Sequence, residues 1–130
     1  RGDISSTAAA YADASFKELG ADAVTANAYM GWDAISPFCT GAFAGKGVFV
    51  LCKTSNPTSK DFQTLALPSQ EPLFENVAKK VASWNEAGAD GCLGVVVGAT
   101  DTHALRRVRA VAGPGLWILA PGIGAQGGNL

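Results

Sequence analysis

Short apolar runs alternate with amphipathic segments along this chain, and this alternation limits the possible folds more than any other feature. Four runs are continuous, as in parallel strands covered on both faces: Ala23–Ala26, Gly47–Cys52, Leu93–Val97 and Leu116–Ala120. Helical patterns lie before or between them, at Thr7–Leu19, Pro72–Ala87 and Asp101–Ala112, with a shorter one from Trp32 or Asp33 to Pro37. The order predicts an α/β fold with right-handed crossovers and a parallel sheet.

Residues at the ends of these segments support the helix predictions. Pro72 suits a first helical turn, and Thr100 or Asp101 suits an N-cap. Asp3 or Ser5 is the candidate cap of the first helix. Glycine is the common stop signal, and the predicted stops are Gly20, Gly88 and Gly113.

The number of units indicates a part of a larger domain. A (β/α)8 barrel takes about 250 residues and eight units, whereas this chain has 130 residues and about four units. It opens with a helix and closes in a loop. Alternation alone does not separate an open doubly wound sheet from a closed barrel, but the count favours residues 1–130 as the central to C-terminal portion of one TIM-barrel domain.

Composition excludes several classes of protein. The chain is 48% hydrophobic with a net charge of −1, so no basic surface for nucleic acid and no membrane-spanning run are expected. Its three cysteines, at 39, 52 and 92, have no metal-ligand spacing. Small buried thiols in a reducing compartment are expected, which predicts a cytoplasmic protein.

A glycine-rich loop, Pro121–Gly128, follows the last apolar run. Glycines let backbone N–H groups turn toward an anion, so the loop is typical of a phosphate site. Gly122, Gly124 and Gly127 satisfy the G-x-G-x-x-G dinucleotide pattern, which requires a helix opening from the loop. The other interpretation is the phosphate loop that follows a late strand of a (β/α)8 barrel.

Three further loops follow the other strands, where ligands of parallel sheets bind. They are Asn27–Gly31, Lys53–Pro57 and Gly98–Thr100. Ser55 and Asn56 offer a hydroxyl and an amide to a heteroaromatic ligand, although a simple turn explains them equally well. Lys53 is expected to be solvated, and the single histidine, His103, to lie on the surface.

Taken together, the loops resemble the orotidine 5′-monophosphate decarboxylase family. The likeness covers nearly the whole chain in order, and it rests on these segments: Arg1-Gly2-Asp3-Ile4-x-x-Thr7, Asn27–Gly31, Cys52–Pro57, Val96–Thr100 and Pro121–Gly128. The resemblance implies a homodimeric barrel with shared sites that converts orotidine 5′-monophosphate to UMP and CO2 without metal or organic cofactor. It also implies that the other members of a Lys-Asp-Lys-Asp catalytic array precede Arg1, so the chain alone is expected to be inactive.

The resemblance also assigns roles to individual residues. Asp3 is the catalytic residue, and with Ile4 and Thr7 it would reach into the partner's site. Ile4 and Leu51 would form an apolar wall, and Ser55 would bond the pyrimidine amide. Gln126 would bridge pyrimidine and phosphate. The rim and phosphate loop would comprise Pro121, Gly122, Gly127 and Gly128.

Three alternatives stay open at this point. One is a related barrel decarboxylase that acts on a sugar phosphate with a metal. Another is a dinucleotide-binding oxidoreductase. The third is a half-barrel with only a binding or assembly role, which would expose sheet edges and apolar surface.

Overall fold

The computed structural model describes residues 4–124 and 126–128 and contains one parallel sheet. The strands are β1 (Ala23–Asn27), β2 (Gly47–Lys53), β3 (Leu93–Val97) and β4 (Trp117–Leu119), and they lie in chain order. All three pairings are parallel. The four predicted strands are therefore confirmed; β1 and β2 extend one residue further than predicted, and β4 is shorter.

Helices precede or connect the strands. They are α1 (Ser5–Asp13), α2 (Trp32–Ile35), α3 (Leu73–Trp84) and α4 (Thr102–Ala112). Wider π-helical turns extend α1 through Ala14–Glu18 and α3 through Asn85–Ala89, while α2 continues into a 3-10 turn at Ser36–Phe38. None of the described helices is both long and apolar enough to cross a lipid bilayer.

The helix ends follow the predictions in part. Asp101 is the N-cap of α4, because its Oδ1 accepts a hydrogen bond of 2.9 Å from the Ala104 N–H. The N-cap of α1 is Ile4, with no side-chain cap, so the prediction of Ser5 as a cap was wrong. Gly88 lies inside the turn after α3; the chain reverses at Asp90 and Gly91, where φ is 46° and 81°.

The core lies between the helices and one face of the sheet. Val48, Val50, Leu93, Val95 and Val97 are fully buried there. Buried side chains from the helices meet them: Ala8, Ala12, Phe16, Phe74, Ala78, Val81, Ala104 and Val108. Leu19, predicted on the buried stripe of α1, is 82% exposed, because it follows the wide turn at Ala14–Glu18 as its C-cap, where the α-helical spacing of the stripe no longer holds.

The other face of the sheet is uncovered, which corrects the prediction that every strand is buried on both faces. Only β3 is buried along its whole length. We call this the open face and define it by Phe49, Leu51, Trp117 and Leu119, of which Trp117 is 68% exposed. The continuous apolar runs therefore reflect a face that other parts of a larger barrel would cover.

An ion pair between a buried carboxylate, Glu75, and a half-exposed guanidinium, Arg107, joins α3 to α4. Arg107 Nε donates a hydrogen bond of 2.8 Å to Glu75 Oε1, and Arg107 Nη2 donates one of 2.8 Å to Glu75 Oε2. Glu75 is only 3% exposed. These hydrogen bonds lower the pKa of Glu75 below its ordinary value. Because the folded chain favours the ionised carboxylate, the pair stabilises the fold fully above the ordinary pKa of about 4.3. That stabilisation is lost as the pH falls through the lower folded value.

We expect Arg107→Met to lower Tm at pH 7, since it leaves a buried carboxylate without its partner. The difference from wild type should shrink toward pH 3 as Glu75 becomes protonated. Thermal unfolding between pH 3 and 7 measures this, with Arg106→Met, which removes an exposed arginine from the same helix, as the matched control. A Tm difference that stays constant over this range would contradict the role of the ion pair.

Candidate functional site

The four loops identified in the sequence lie at the carboxyl edge of the sheet. Because all strands are parallel, the segments after β1, β2, β3 and β4 meet at one edge. Backbone hydrogen bonds of 2.8 Å connect the last three loops: Gly98 N–H donates to Lys53 O, and Ala99 N–H donates to Pro121 O. The neighbouring residues Gly98 and Ala99 thus bring the serine loop and the glycine-rich loop together.

Ser55 lies directly against the loop after β3. A Cβ added at Gly98 would lie 3.0 Å from the Ser55 Cβ, so the absence of a side chain at Gly98 permits this approach. Ser55 is exposed, and within the described residues its hydroxyl makes no hydrogen bond. The hydroxyl is therefore available to a ligand at the carboxyl edge of the sheet.

The glycine-rich loop closes on itself. Gly128 N–H donates to Gly122 O at 3.1 Å, and Gly124 N–H donates to Gly128 O at 3.0 Å. Gly127 N–H donates to Gly124 O at 2.8 Å, which makes a tight turn. Positive φ values of 98°, 83° and 87° at Gly122, Gly124 and Gly127 explain why glycine is needed there.

Gln126 lies beside the start of this loop. The side chain is exposed, and its Oε1 would lie 2.8 Å from a Cβ added at Gly122. No helix opens from the loop among the described residues, because the Gly128 N–H bonds back to Gly122 O. The helix that a dinucleotide fingerprint requires is therefore missing from this part of the chain.

Lys53 is buried, so the prediction that it is solvated was wrong. The residue is 8% exposed. Its Nζ donates to Thr54 O at 3.0 Å and to Ser59 Oγ at 3.3 Å, and it lies 3.7 Å from Asp101 Oδ2. The ion pair joins residues 48 positions apart in the chain, and no local pattern in the sequence signals such a contact.

Gln63 is a second residue that the sequence analysis missed. Its Oε1 accepts a hydrogen bond of 2.8 Å from Thr54 N–H, and its Nε2 donates to Thr54 Oγ1 at 2.9 Å. Thr54 Oγ1 in turn donates to Asn56 Oδ1 at 2.6 Å. These bonds fix the backbone on the N-terminal side of Ser55.

Among the described residues, Ile4, Thr7 and Leu51 take no part in the hydrogen bonds that join these two loops. Asp3 lies outside the described residues. Ile4 and Thr7 stand at the start of α1, and neither side chain is hydrogen-bonded to the loops within the part of the chain that the structure describes. Leu51 lines a separate apolar groove of about 670 Å³ between the loop after β1 and α3, together with Asn27, Tyr29, Phe62, Val77 and Trp84.

The two buried cysteines, Cys39 and Cys52, are not activated as nucleophiles. Burial raises the pKa of Cys52 to about 12 and that of Cys39 to about 11. Thiols with such pKa values are poor nucleophiles at neutral pH. His103 is exposed, as predicted. Across residues 4–124 and 126–128, no three His, Cys, Asp or Glu residues group closely enough to hold a metal ion.

Comparison with known proteins gives consistent results. The model of the family described as "Orotidine 5′-phosphate decarboxylase / HUMPS family" matches residues 1–130. Orotidine 5′-phosphate decarboxylase of Paracidovorax citrulli is 50% identical over 133 residues, which are 99% of this chain and 46% of the relative. The chain therefore spans about half the length of the curated relatives it matches.

Two solved structures from Leishmania donovani have the same fold. The UMP synthase is 52% identical with a TM-score of 0.88, and the match covers 99% of this chain and 28% of that one. The OMP decarboxylase is 51% identical with a TM-score of 0.84, and the match covers 95% of this chain and 47% of that one. The Paracidovorax citrulli relative and the second of these structures are decarboxylases by name, which gives no support to a dinucleotide-binding oxidoreductase.

Proposed function

This chain belongs to the orotidine 5′-phosphate decarboxylase / HUMPS family, and on that premise we propose that the protein carrying it converts orotidine 5′-monophosphate to UMP and CO2. The four parallel strands are part of a (β/α)8 barrel, as in the solved relatives. In a closed barrel the open face of the sheet would line the interior. The alternative of a non-catalytic half-barrel has no relative among the compared proteins to favour it.

One observation carries the proposal furthest. The serine loop and the closed glycine loop are attached to adjacent residues, Gly98 and Ala99, by backbone hydrogen bonds of 2.8 Å. A substrate with a polar heterocycle at one end and a phosphate at the other needs a site with two such parts. Ser55 would bond the pyrimidine amide, and Gln126 would bridge to the phosphate held by the glycine loop.

Phosphate binding has a physical role in this chemistry. Loss of CO2 leaves a carbanion on the pyrimidine, and without an electron-sink cofactor that charge must be stabilised by preorganised electrostatics. Binding energy from the distant phosphate can be used to hold the reacting group in that environment. We further propose that Asp3, Ile4 and Thr7 complete the site of a partner subunit in a cytoplasmic homodimer, and that Ile4 and Leu51 form its apolar wall.

Two substitutions test the proposal in the full-length protein. We expect Ser55→Ala to lower kcat/KM roughly tenfold, through loss of a hydrogen bond to the reacting heterocycle. We expect Gln126→Ala to act mainly on KM, and its effect should be smaller with orotidine, which lacks the phosphate. Steady-state kinetics with both substrates measure this.

Ser83→Ala, an exposed serine on α3, is the control and should leave all constants unchanged. Absence of UMP formation by the wild-type protein would reject the decarboxylase. Turnover of a sugar phosphate instead would favour another barrel decarboxylase.

A further inference from the structure

Lys53 is a buried cation that contacts three residues near the candidate site, Thr54, Ser59 and Asp101. Its side chain is 10% exposed, against 38% for that of Asp101. A buried ammonium is costly unless its donors are paired. Here two protons bond Thr54 O and Ser59 Oγ, and the Asp101 carboxylate lies at 3.7 Å.

Two hydrogen-bond partners of Lys53, Thr54 and Ser59, flank Ser55 in the sequence. Thr54 precedes Ser55, and Ser59 lies four residues after it in a 3-10 turn at Pro57–Asp61. The backbone of Lys53 is also engaged, because its carbonyl accepts the Gly98 N–H at 2.8 Å. The side chain of Lys53 therefore bonds to residues on either side of Ser55 in the sequence, and its backbone carbonyl bonds to the loop after β3.

Asp101 links the same cation to the next element. One carboxylate oxygen caps α4 through the Ala104 N–H, while the other faces Lys53. Asp101 N–H also donates to Gly98 O at 3.2 Å. The position of Asp101 is thus fixed by its bond to the N-terminus of α4 and by its bond to Gly98, the glycine that packs against Ser55.

We propose that Lys53 is a positioning residue that acts through Ser55, holding residues 54–59 against the Gly98–Asp101 turn. The inference rests on the proposed function, because it takes Ser55 as the group that contacts the substrate. The alternative is that Lys53 contacts the substrate itself, but its ammonium is already directed at Thr54 O, Ser59 Oγ and Asp101. A displacement of Ser55 of the order of 1 Å is enough to weaken catalysis strongly.

A double-mutant cycle in the full-length protein tests this role. We expect Lys53→Met to lower kcat/KM on the order of 10-fold or more. In a Ser55→Ala background the same change should cost less than about twofold, because the group that Lys53 positions is then absent. Asp101→Asn, which keeps an N-cap acceptor but removes the charge, should cause a smaller loss in the same direction. Lys60→Met, which removes an exposed lysine from the same segment, should change nothing.

Amide hydrogen exchange provides a readout that does not depend on turnover. Lys53→Met should speed exchange at Thr54 and Gly98 while the slowest core amides of β3 keep their rates. Equal losses of kcat/KM in both backgrounds, or unchanged exchange at Thr54 and Gly98, would overturn the proposal. If the wild-type protein forms no UMP, the proposed function fails and the exchange measurement alone decides the role of Lys53.

Discussion

Gly128→Ala is expected to lower kcat/KM for orotidine 5′-monophosphate on the order of 100-fold with little change in Tm. The reason is space: a Cβ at this position would lie 2.7 Å from Gly122 O and 2.9 Å from the Ala99 Cβ. Gly122 O is a backbone atom, so it cannot move aside by a change of side-chain rotamer. Both hydrogen bonds that close the loop through Gly128 would break, and the N–H groups proposed to bind phosphate would be displaced.

The measurements are kcat/KM for orotidine 5′-monophosphate and the Kd values of UMP and of uridine, which lacks the phosphate. Gly115→Ala is the matched control, because a Cβ there would meet no atom within 4 Å. Its kinetic constants should equal those of the wild type. The closed loop would be rejected as the phosphate site if Gly128→Ala bound UMP as tightly as the wild type does.

Gly94→Ala should have the largest effect on stability, with a loss of about 1–3 kcal/mol in the free energy of unfolding. Gly94 lies in β3 between Phe49 of β2 and Trp117 of β4. An added Cβ would lie 2.9 Å from two carbons of the Phe49 ring and 2.9 Å from Trp117 O. Glycine within a strand is often a sign of such a close approach.

Urea unfolding of the full-length protein measures the loss. The double variant Gly94→Ala/Phe49→Ala removes the collision with the ring but keeps the one with Trp117 O. Gly94→Ala should therefore cost less stability in the Phe49→Ala background than in the wild type, because the two positions are coupled. Strict additivity of the two single changes would show that the ring does not limit the space at Gly94.

The sequence was sufficient to predict the elements of the fold because their signals are local. The strands are short apolar runs, and Asp101 and Gly113 mark the two ends of α4 in the way that capping chemistry requires. Alternating units also predicted that the strands are parallel, but not their order, because an open doubly wound sheet and a closed barrel order their strands differently. The barrel followed from the resemblance of the loops to a known family.

What the sequence could not predict depends on contacts between distant residues. Lys53 pairs with Asp101, 48 positions further along the chain, only after β2 and the start of α4 have come together. The open face is another case, because an apolar run has the same composition whether or not a second layer covers it. The roles of Asp3, Ile4, Thr7 and Gln126 stay predictions that the proposed kinetics address only in part.

The position of Trp117 also provides an optical reporter. Its indole projects from the open face and is largely in contact with water, whereas Trp32 and Trp84 pack against each other with ring centroids 5.5 Å apart. Indole emission moves to shorter wavelengths when apolar groups replace water around the ring. If further strands cover the open face, the emission maximum of Trp117 should therefore shift to shorter wavelengths. This shift can be measured in solution without an attached dye.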